Sequence, residues 1–244
     1  MQIALIGYGK MGKEVELAAR NRGITVARIF EIDTNTGAAG MTRESLSGVD
    51  VCIDFSSPMA VMDNIHAAAE CGTNIVVGTT GWYDRVDDVR ALVHKKNIGF
   101  LYSANFSLGV NLFLQIVGEA AQLIDPYPEY DAAISETHHR GKADSPSGTA
   151  LSLANSMVQA MKRKSEIVTD VTRGPIRPEQ LHVSSVRVGA VTGTHAVVFD
   201  SDADTIELVH RAKSRRGFAS GVIAAAEWLK GKKGFYTMRD VILP

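Results

Sequence analysis

Short apolar runs alternate with amphipathic stretches from Met1 to about Phe106. "QIALIG" predicts a short strand. "KMGKEVELAARNRG" carries its apolar residues at helical spacing and predicts an amphipathic helix stopped by Gly23. "TVARIFE" predicts a second strand. "VDVCIDF" predicts a third, whose apolar run suits a strand covered on both faces. Ser57-Pro58 predicts a helix start, with the serine hydroxyl as N-cap and proline in the first turn. That helix runs through "MAVMDNIHAAAEC" to Gly72. "NIVVGTTG" then reads as a strand, "YDRVDDVRALVHKK" as a helix and "IGFLYSA" as a fifth strand. Strands alternating with helices of this length predict βαβ units and a parallel sheet.

After Phe106 the rhythm changes. "LGVNLFLQIVGEAAQLI" is helical, and "YDAAISE" is a strand leading into a His-rich loop. Thr149 to Lys162 predicts another helix. "LHVSSVRVG", "THAVVFD" and "TIELVHRA" follow as strands without helices between them, the mark of a meander or mixed sheet. "FASGVIAAAEWLK" returns to helix. The predicted fold class is therefore α/β, with an N-terminal Rossmann-like parallel sheet and a second α+β domain of mixed sheet. The predicted boundaries are 1–106, joined by a C-terminal segment from about 216 to 244, and 107–215.

Composition narrows the function. A formal net charge of -1 argues against nucleic-acid binding, which calls for a basic stripe. No apolar run reaches the roughly 18 residues that suggest a membrane span, and "MQIALIGYGKMG" is not built as a signal peptide. Cys52 and Cys71 each sit in an apolar stretch, so a cytoplasmic protein without disulfides is expected.

"GYGKMG" spaces Gly7, Gly9 and Gly12 as G-x-G-x-x-G between a strand and a helix. Gly7 permits the tight turn, Gly9 the close approach of a diphosphate, and Gly12 the packing of helix on strand. Tyr8, Lys10 and Met11 complete the loop. Glu31 ends the second strand about 20 residues on, where ribose hydroxyls belong. Glu31 favours NADH, whereas Lys10 and Lys13 favour the 2′-phosphate of NADPH. Asp33 is a rival for the Glu31 role, better read as a turn residue. Gly78, Thr79 and Thr80 end the fourth strand. Ser103, Ala104, Asn105 and Phe106 follow the fifth, at the carboxyl edge where such sheets bind ligands.

"ETHHRGKADSPSGTA" crowds His138, His139 and Lys142 in front of a helix N-terminus. Histidine exchanges protons near neutrality, and lysine adds positive charge that draws an anion. Ser147, Gly148 and Thr149 offer N–H groups and a hydroxyl to a carboxylate there. No metal is expected, since adjacent histidines point apart and neither a Cys pair nor H-E-x-x-H spacing is present. By themselves these residues describe a nucleotide-linked reductase of a small anion, whose proton donors face the nicotinamide across a shared crevice. A nucleotide-sensing regulator would not need the clustered donors. Another two-domain dehydrogenase, such as one acting on an amino-acid semialdehyde, would need a catalytic cysteine or a differently placed lysine, and Cys52 and Cys71 both lie outside the second domain.

The pattern E-x-H-H-x-x-K-x-D-x-P-S-G-T-A, after "VGTTG" and "NFSLGVN" and before "RVGAVTGTHAVVFD", resembles the 4-hydroxy-tetrahydrodipicolinate reductase family of lysine and diaminopimelate biosynthesis. The resemblance covers nearly the whole chain. It implies hydride transfer from NADH or NADPH to C4 of a small cyclic dicarboxylate, with loss of water. It places the acid/base histidine at His138, the proton-donating lysine at Lys142, and substrate contacts at His139, Gly148 and Thr149. It implies that 107–215 binds substrate and builds a homotetramer through its sheet. The chain departs from the family at Gly141, where some members carry a further histidine, and in the short stretch between Asp33 and Ser45.

Overall fold

The structure, a computed structural model, describes residues 1–31, 35–169, 172, 174–214 and 216–243. The chain forms two compact units, one of Met1–Leu108 with Arg216–Pro244, the other Gly109–Arg215.

In the first unit, β1 (Gln2–Ile6), β2 (Thr25–Phe30), β3 (Val51–Asp54), β4 (Asn74–Val77), β5 (Gly99–Tyr102) and β11 (Gly234–Thr237) form one sheet in the order β11-β5-β4-β3-β1-β2. Every pairing is parallel. The central strands β3 and β4 are buried at every position, as strands covered on both faces must be. The apolar stripe of α1 (Lys10–Asn21) buries Val15 and Ala19 with α6 (Arg216–Leu229) on one face. Helices α2 (Val61–Glu70) and α3 (Val86–Lys96) cover the other. The chain order reverses between β1 and β3, and a crevice opens there at the strands' carboxyl ends.

In the second unit, β6 (Asp131–His138), β7 (Glu166–Val168), β8 (Gln180–Arg187), β9 (Thr194–Asp200) and β10 (Thr205–Arg211) form a mixed sheet ordered β10-β9-β6-β8-β7. β6 runs parallel to β8 and antiparallel to β9. Its inner face packs Ile134, Leu181, Val183, Val197 and Phe199 against α4 (Leu108–Ile124) and α5 (Gly148–Ala160).

The fold class is the one read from the residues, with four local differences. Ser57 does not cap α2: its carbonyl accepts from the Ala60 and Val61 N–H groups, so backbone closes the turn and the helix begins at Val61. β6 extends through Glu136, Thr137 and His138, because its in–out alternation continues into what reads as loop. Strands β7 and β11 are too short to stand out from their surroundings in sequence. Helix α5 ends at Ala160, two residues before Lys162. Both cysteines are free, Cys52 buried and Cys71 half-buried. Among the described residues no helix is long and apolar enough to cross a membrane.

Candidate active site

Two sets of residues carry chemistry, one in each unit. In the first, Gly7 turns the chain with φ of 84°. A Cβ there would strike the Phe55 carbonyl, and one at Gly12 would strike the Gly7 carbonyl. Gly9, by contrast, faces open space, with nothing within 4 Å of where its Cβ would stand. It is the N-cap of α1 and supplies no side-chain cap, which leaves the first N–H groups of a 12-residue helix facing outward. These features fit a dinucleotide diphosphate: two glycines are filled by protein and the third is clear.

Beside this turn lies a cleft of about 400 Å³ that includes Gly7, Glu31, Asn35, Ser56 and Asn64. A second depression of about 330 Å³ includes Gly9, Lys10, Met11, Gly78, Thr79 and Thr80. Tyr8 sits to one side, its hydroxyl bonded to Glu16 and Lys13 above its ring. Ser103 and Asn105 brace their own turn: the Ser103 hydroxyl donates to the Asn105 carbonyl at 2.7 Å, and the Ser107 N–H donates to Asn105 Oδ1 at 2.9 Å. Ala104 lies within that turn. The Phe106 ring is in the core, edge-on to Phe55, so only its backbone remains to meet a ligand. Asp33 lies outside the described residues.

Asp54, which the sequence reading missed, ties these loops together. Fully buried at the end of β3, it accepts from the Thr79 hydroxyl, from the N–H and hydroxyl of Ser56, and from Asn64 Nδ2 at 2.8 Å. Asn35 donates to Asn64 in turn. Burial pushes the Asp54 carboxyl up, and these four donors work against that.

In the second unit, period-two alternation selects the site. Glu136 and His138 are two apart on β6 and share its inner face. Pairing sets His195 opposite Glu136 on β9, and Arg187 opposite His138 on β8. Glu136 Oε2 hydrogen-bonds His138 Nδ1. Glu136 Oε1 accepts from Arg187 Nη2 at 2.7 Å and from the Ser147 N–H at 3.2 Å. Burial raises the Glu136 carboxyl, but hydrogen bonds from Arg187 and His138 outweigh it and hold the group below the ordinary glutamate range. His195 stands edge-on to His138 and shares a hydrogen bond with the Ser147 hydroxyl at 3.1 Å. Burial, then the neighbouring His138, pushes its pKa down to about 4.

The loop continues the arrangement. Ser147 caps α5 by accepting from the Ala150 N–H. Lys142 pairs with Asp144 at 2.6 Å, and this bond holds the Asp144 carboxyl below its usual range. Gly148 opens the helix with nothing within 4 Å of where a Cβ would stand, and Thr149 follows it. His139 is half-buried just past β6. Glu136, His138 and His195 bring a carboxylate oxygen and two ring nitrogens within 4.8 Å of one another. The direct Glu136–His138 bond already joins two of those donors.

His138, Lys142, His139, Gly148 and Thr149 thus belong to one stretch around the N-terminus of α5. Glu136, Arg187 and His195 join them only through strand pairing. Arg187 and His195 lie within "RVGAVTGTHAVVFD", one of the stretches that carry the resemblance, but no role is legible for them there, and Glu136 is visible as the first letter of the histidine motif.

The fold and these two sites define a dinucleotide-dependent oxidoreductase with a Rossmann-like sheet. Residues 1–106 match the family model "Dihydrodipicolinate reductase, N-terminus", and 109–242 match "Dihydrodipicolinate reductase, C-terminus". The chain is 40% identical over 261 residues to the 4-hydroxy-tetrahydrodipicolinate reductase of Archaeoglobus fulgidus, covering 99% of this chain and 100% of that protein. It is 38% identical over 243 residues to the enzyme of the same name from Christiangramia forsetii, covering 99% and 98%. In fold it is similar to a dipicolinate-bound dihydrodipicolinate reductase from Paenisporosarcina sp. TG-14, with a TM-score of 0.79, 22% identity and 98% of each chain covered. The chain belongs to the dihydrodipicolinate reductase family.

Proposed function

We propose that the His138 loop and the N-terminus of α5 bind and protonate the substrate of this family's reaction, while the glycine turn of the first unit holds the cofactor. The reaction is the NAD(P)H-dependent reduction of 4-hydroxy-tetrahydrodipicolinate to tetrahydrodipicolinate with loss of water, in lysine and diaminopimelate biosynthesis. The bound dinucleotide supplies the hydride.

One observation carries the assignment of the substrate site: a carboxylate already occupies it. Asp144 pairs with the Lys142 ammonium at 2.6 Å just ahead of the α5 N-terminus, where Gly148 and Thr149 are expected to hold a substrate carboxylate. A substrate carboxylate can replace Asp144 on Lys142 at this helix end. The Thr149 backbone and hydroxyl extend the set, and His139 borders it. His138 supplies the one proton the reaction consumes, and Lys142 adds positive charge that draws the carboxylate and can relay that same proton. In the first unit, the backbone of Gly7 to Gly12 and the loops of Gly78 to Thr80 and Ser103 to Phe106 contact the cofactor, with Glu31 at the adenosine ribose. Sequence 1–106 with about 216–244 acts as the dinucleotide-binding domain, and 107–215 as the substrate-binding and oligomerisation domain.

The outer face of the five-stranded sheet carries Ala133, Thr137, Val186, Ala196 and Val198, with Val186 51% exposed. The small and apolar residues of this face, which also carries His182 and Glu207, support a homotetramer closed sheet to sheet. The balanced charge and the two free cysteines support a cytoplasmic setting.

The test is NADH or NADPH oxidation with freshly made substrate. The wild type consumes the cofactor. His138→Gln and Lys142→Ala each lose about 100-fold or more in turnover with the dinucleotide Kd nearly unchanged. A flat absorbance trace with the wild type would instead favour a nucleotide sensor. Loss of nucleotide affinity in both variants would overturn the roles assigned to these residues.

A further inference from the structure

Glu136 has no part in the roles just proposed, yet its side chain is wholly buried. A buried carboxylate is costly unless every lone pair it turns inward is met. Here both oxygens are met, by groups from three elements: Arg187 on β8, the Ser147 N–H at the start of α5, and His138 two residues along its own strand. Arg187 also donates to the Asp144 carbonyl at 2.7 Å, so the same guanidinium holds the loop that carries Lys142.

The geometry has a consequence for His138. An ionised carboxylate only accepts, so the ring nitrogen that meets it must carry the hydrogen. That nitrogen is Nδ1. Proton exchange with a ligand is therefore left to Nε2. Nε2 lies against Gly193, where a Cβ would stand 2.9 Å away. Any side chain there would crowd the one nitrogen free to react. His195, edge-on to His138 with its ring centroid 5.1 Å away, completes the enclosure.

We propose that Glu136 is the positioning residue of the proton donor: it locks His138 in the Nδ1–H form and turns Nε2 toward the substrate, and Gly193 keeps that nitrogen uncovered. The proposal rests on the reading of His138 as the proton donor. In turnover the imidazolium breaks its Nε2–H bond and passes that proton to the substrate. It is left as neutral Nδ1–H imidazole on Glu136, and regains a proton at Nε2 from water. Because Glu136 also holds the Ser147 N–H, the donor and the carboxylate-binding helix end are fixed to one group.

Nitrogen-15 spectra of histidine-labelled wild type test this without any substitution, at a pH where the ring is neutral. The expected result is a protonated Nδ1 and a bare Nε2 for His138, assigned by loss of its signals in His138→Gln. A protonated Nε2 with a bare Nδ1 would overturn the proposal. Glu136→Gln should then mix the two tautomers and lower kcat about 100-fold, with KM and dinucleotide Kd within about twofold. Gly193→Ala should lower kcat while leaving the tautomer as in the wild type. If Glu136 served stability only, its variant would melt earlier with tautomer and kcat unchanged, and the proposal would fail. Full activity in Glu136→Gln beside an inactive His138→Gln would sink the positioning role alone. Full activity in His138→Gln would sink the underlying reading.

Discussion

His195 is a base kept neutral by its surroundings. Burial on the inner face of the sheet, with His138 beside it, takes its pKa from 6.5 to about 4. A base depressed on folding stays neutral while the unfolded chain takes up a proton. The stability it allows is intact above pH 6.5 and falls as the pH drops toward 4, by up to about 3 kcal/mol. Urea unfolding at pH 7 and pH 4.5 should show this loss in the wild type and a markedly smaller one in His195→Gln. Equal losses in both proteins would contradict the account. Glu136 acts at more acid pH and with the sign of a depressed carboxyl: its stabilisation holds above the ordinary glutamate range and fades as pH falls through its lowered pKa. Asp54 does its work by geometry. Asp54→Asn keeps the size but turns an NH₂ group toward the donors Thr79 and Asn64, which loosens three loops at the crevice. Calorimetric titration should find dinucleotide binding weakened about tenfold, or about 1.4 kcal/mol, with kcat at saturating cofactor nearly unchanged.

At the scale of elements, α6 shows local preference yielding to packing. Gly221 lies inside this helix, where alanine would be favoured by about 1 kcal/mol. A Cβ at Gly221, however, would overlap the Phe106 carbonyl oxygen. The helix lies so close to the loop after β5 that only glycine fits between them. Gly221→Ala should therefore destabilise by about 1–3 kcal/mol despite its higher helix propensity, read as a lower Tm in thermal unfolding. An unchanged or raised Tm would show that the loop yields freely. The N-terminus of α5 is the reverse case, where local chemistry suffices: Ser147 caps the helix as its residue type predicts. The start of α2 shows the limit of such rules. Ser57-Pro58 carries the right residues, yet the backbone closes that turn and the hydroxyl is not used as a cap.

At the scale of the molecule, each unit has its own core. One is layered on a parallel sheet with helices on both faces, and the other sits between a mixed sheet and two helices. The outer face of that mixed sheet is the surface proposed above for assembly. Val186→Glu places a charge on this face, near the end of β8, without touching the core. Analytical ultracentrifugation should find the wild type tetrameric and this variant dissociated, with dinucleotide binding retained. A variant that stays tetrameric would move the interface elsewhere.

The order of residues alone determined the strand–helix alternation of the first unit, the glycine turn after β1, and the His-Lys loop before α5. Each depends on groups within a few positions of one another: a period of apolar side chains, a turn that needs glycine, a helix end with free N–H groups. The strand length of β6 was only partly legible, because its alternation runs on into residues that look like a loop. Tertiary structure alone decided that Arg187 and His195, from β8 and β9, would close around Glu136 and His138, and that Asp54 would gather Thr79 and Asn64. Those meetings depend on strand register and long-range packing, which bring together groups separated by dozens of residues and leave no periodic mark along the chain.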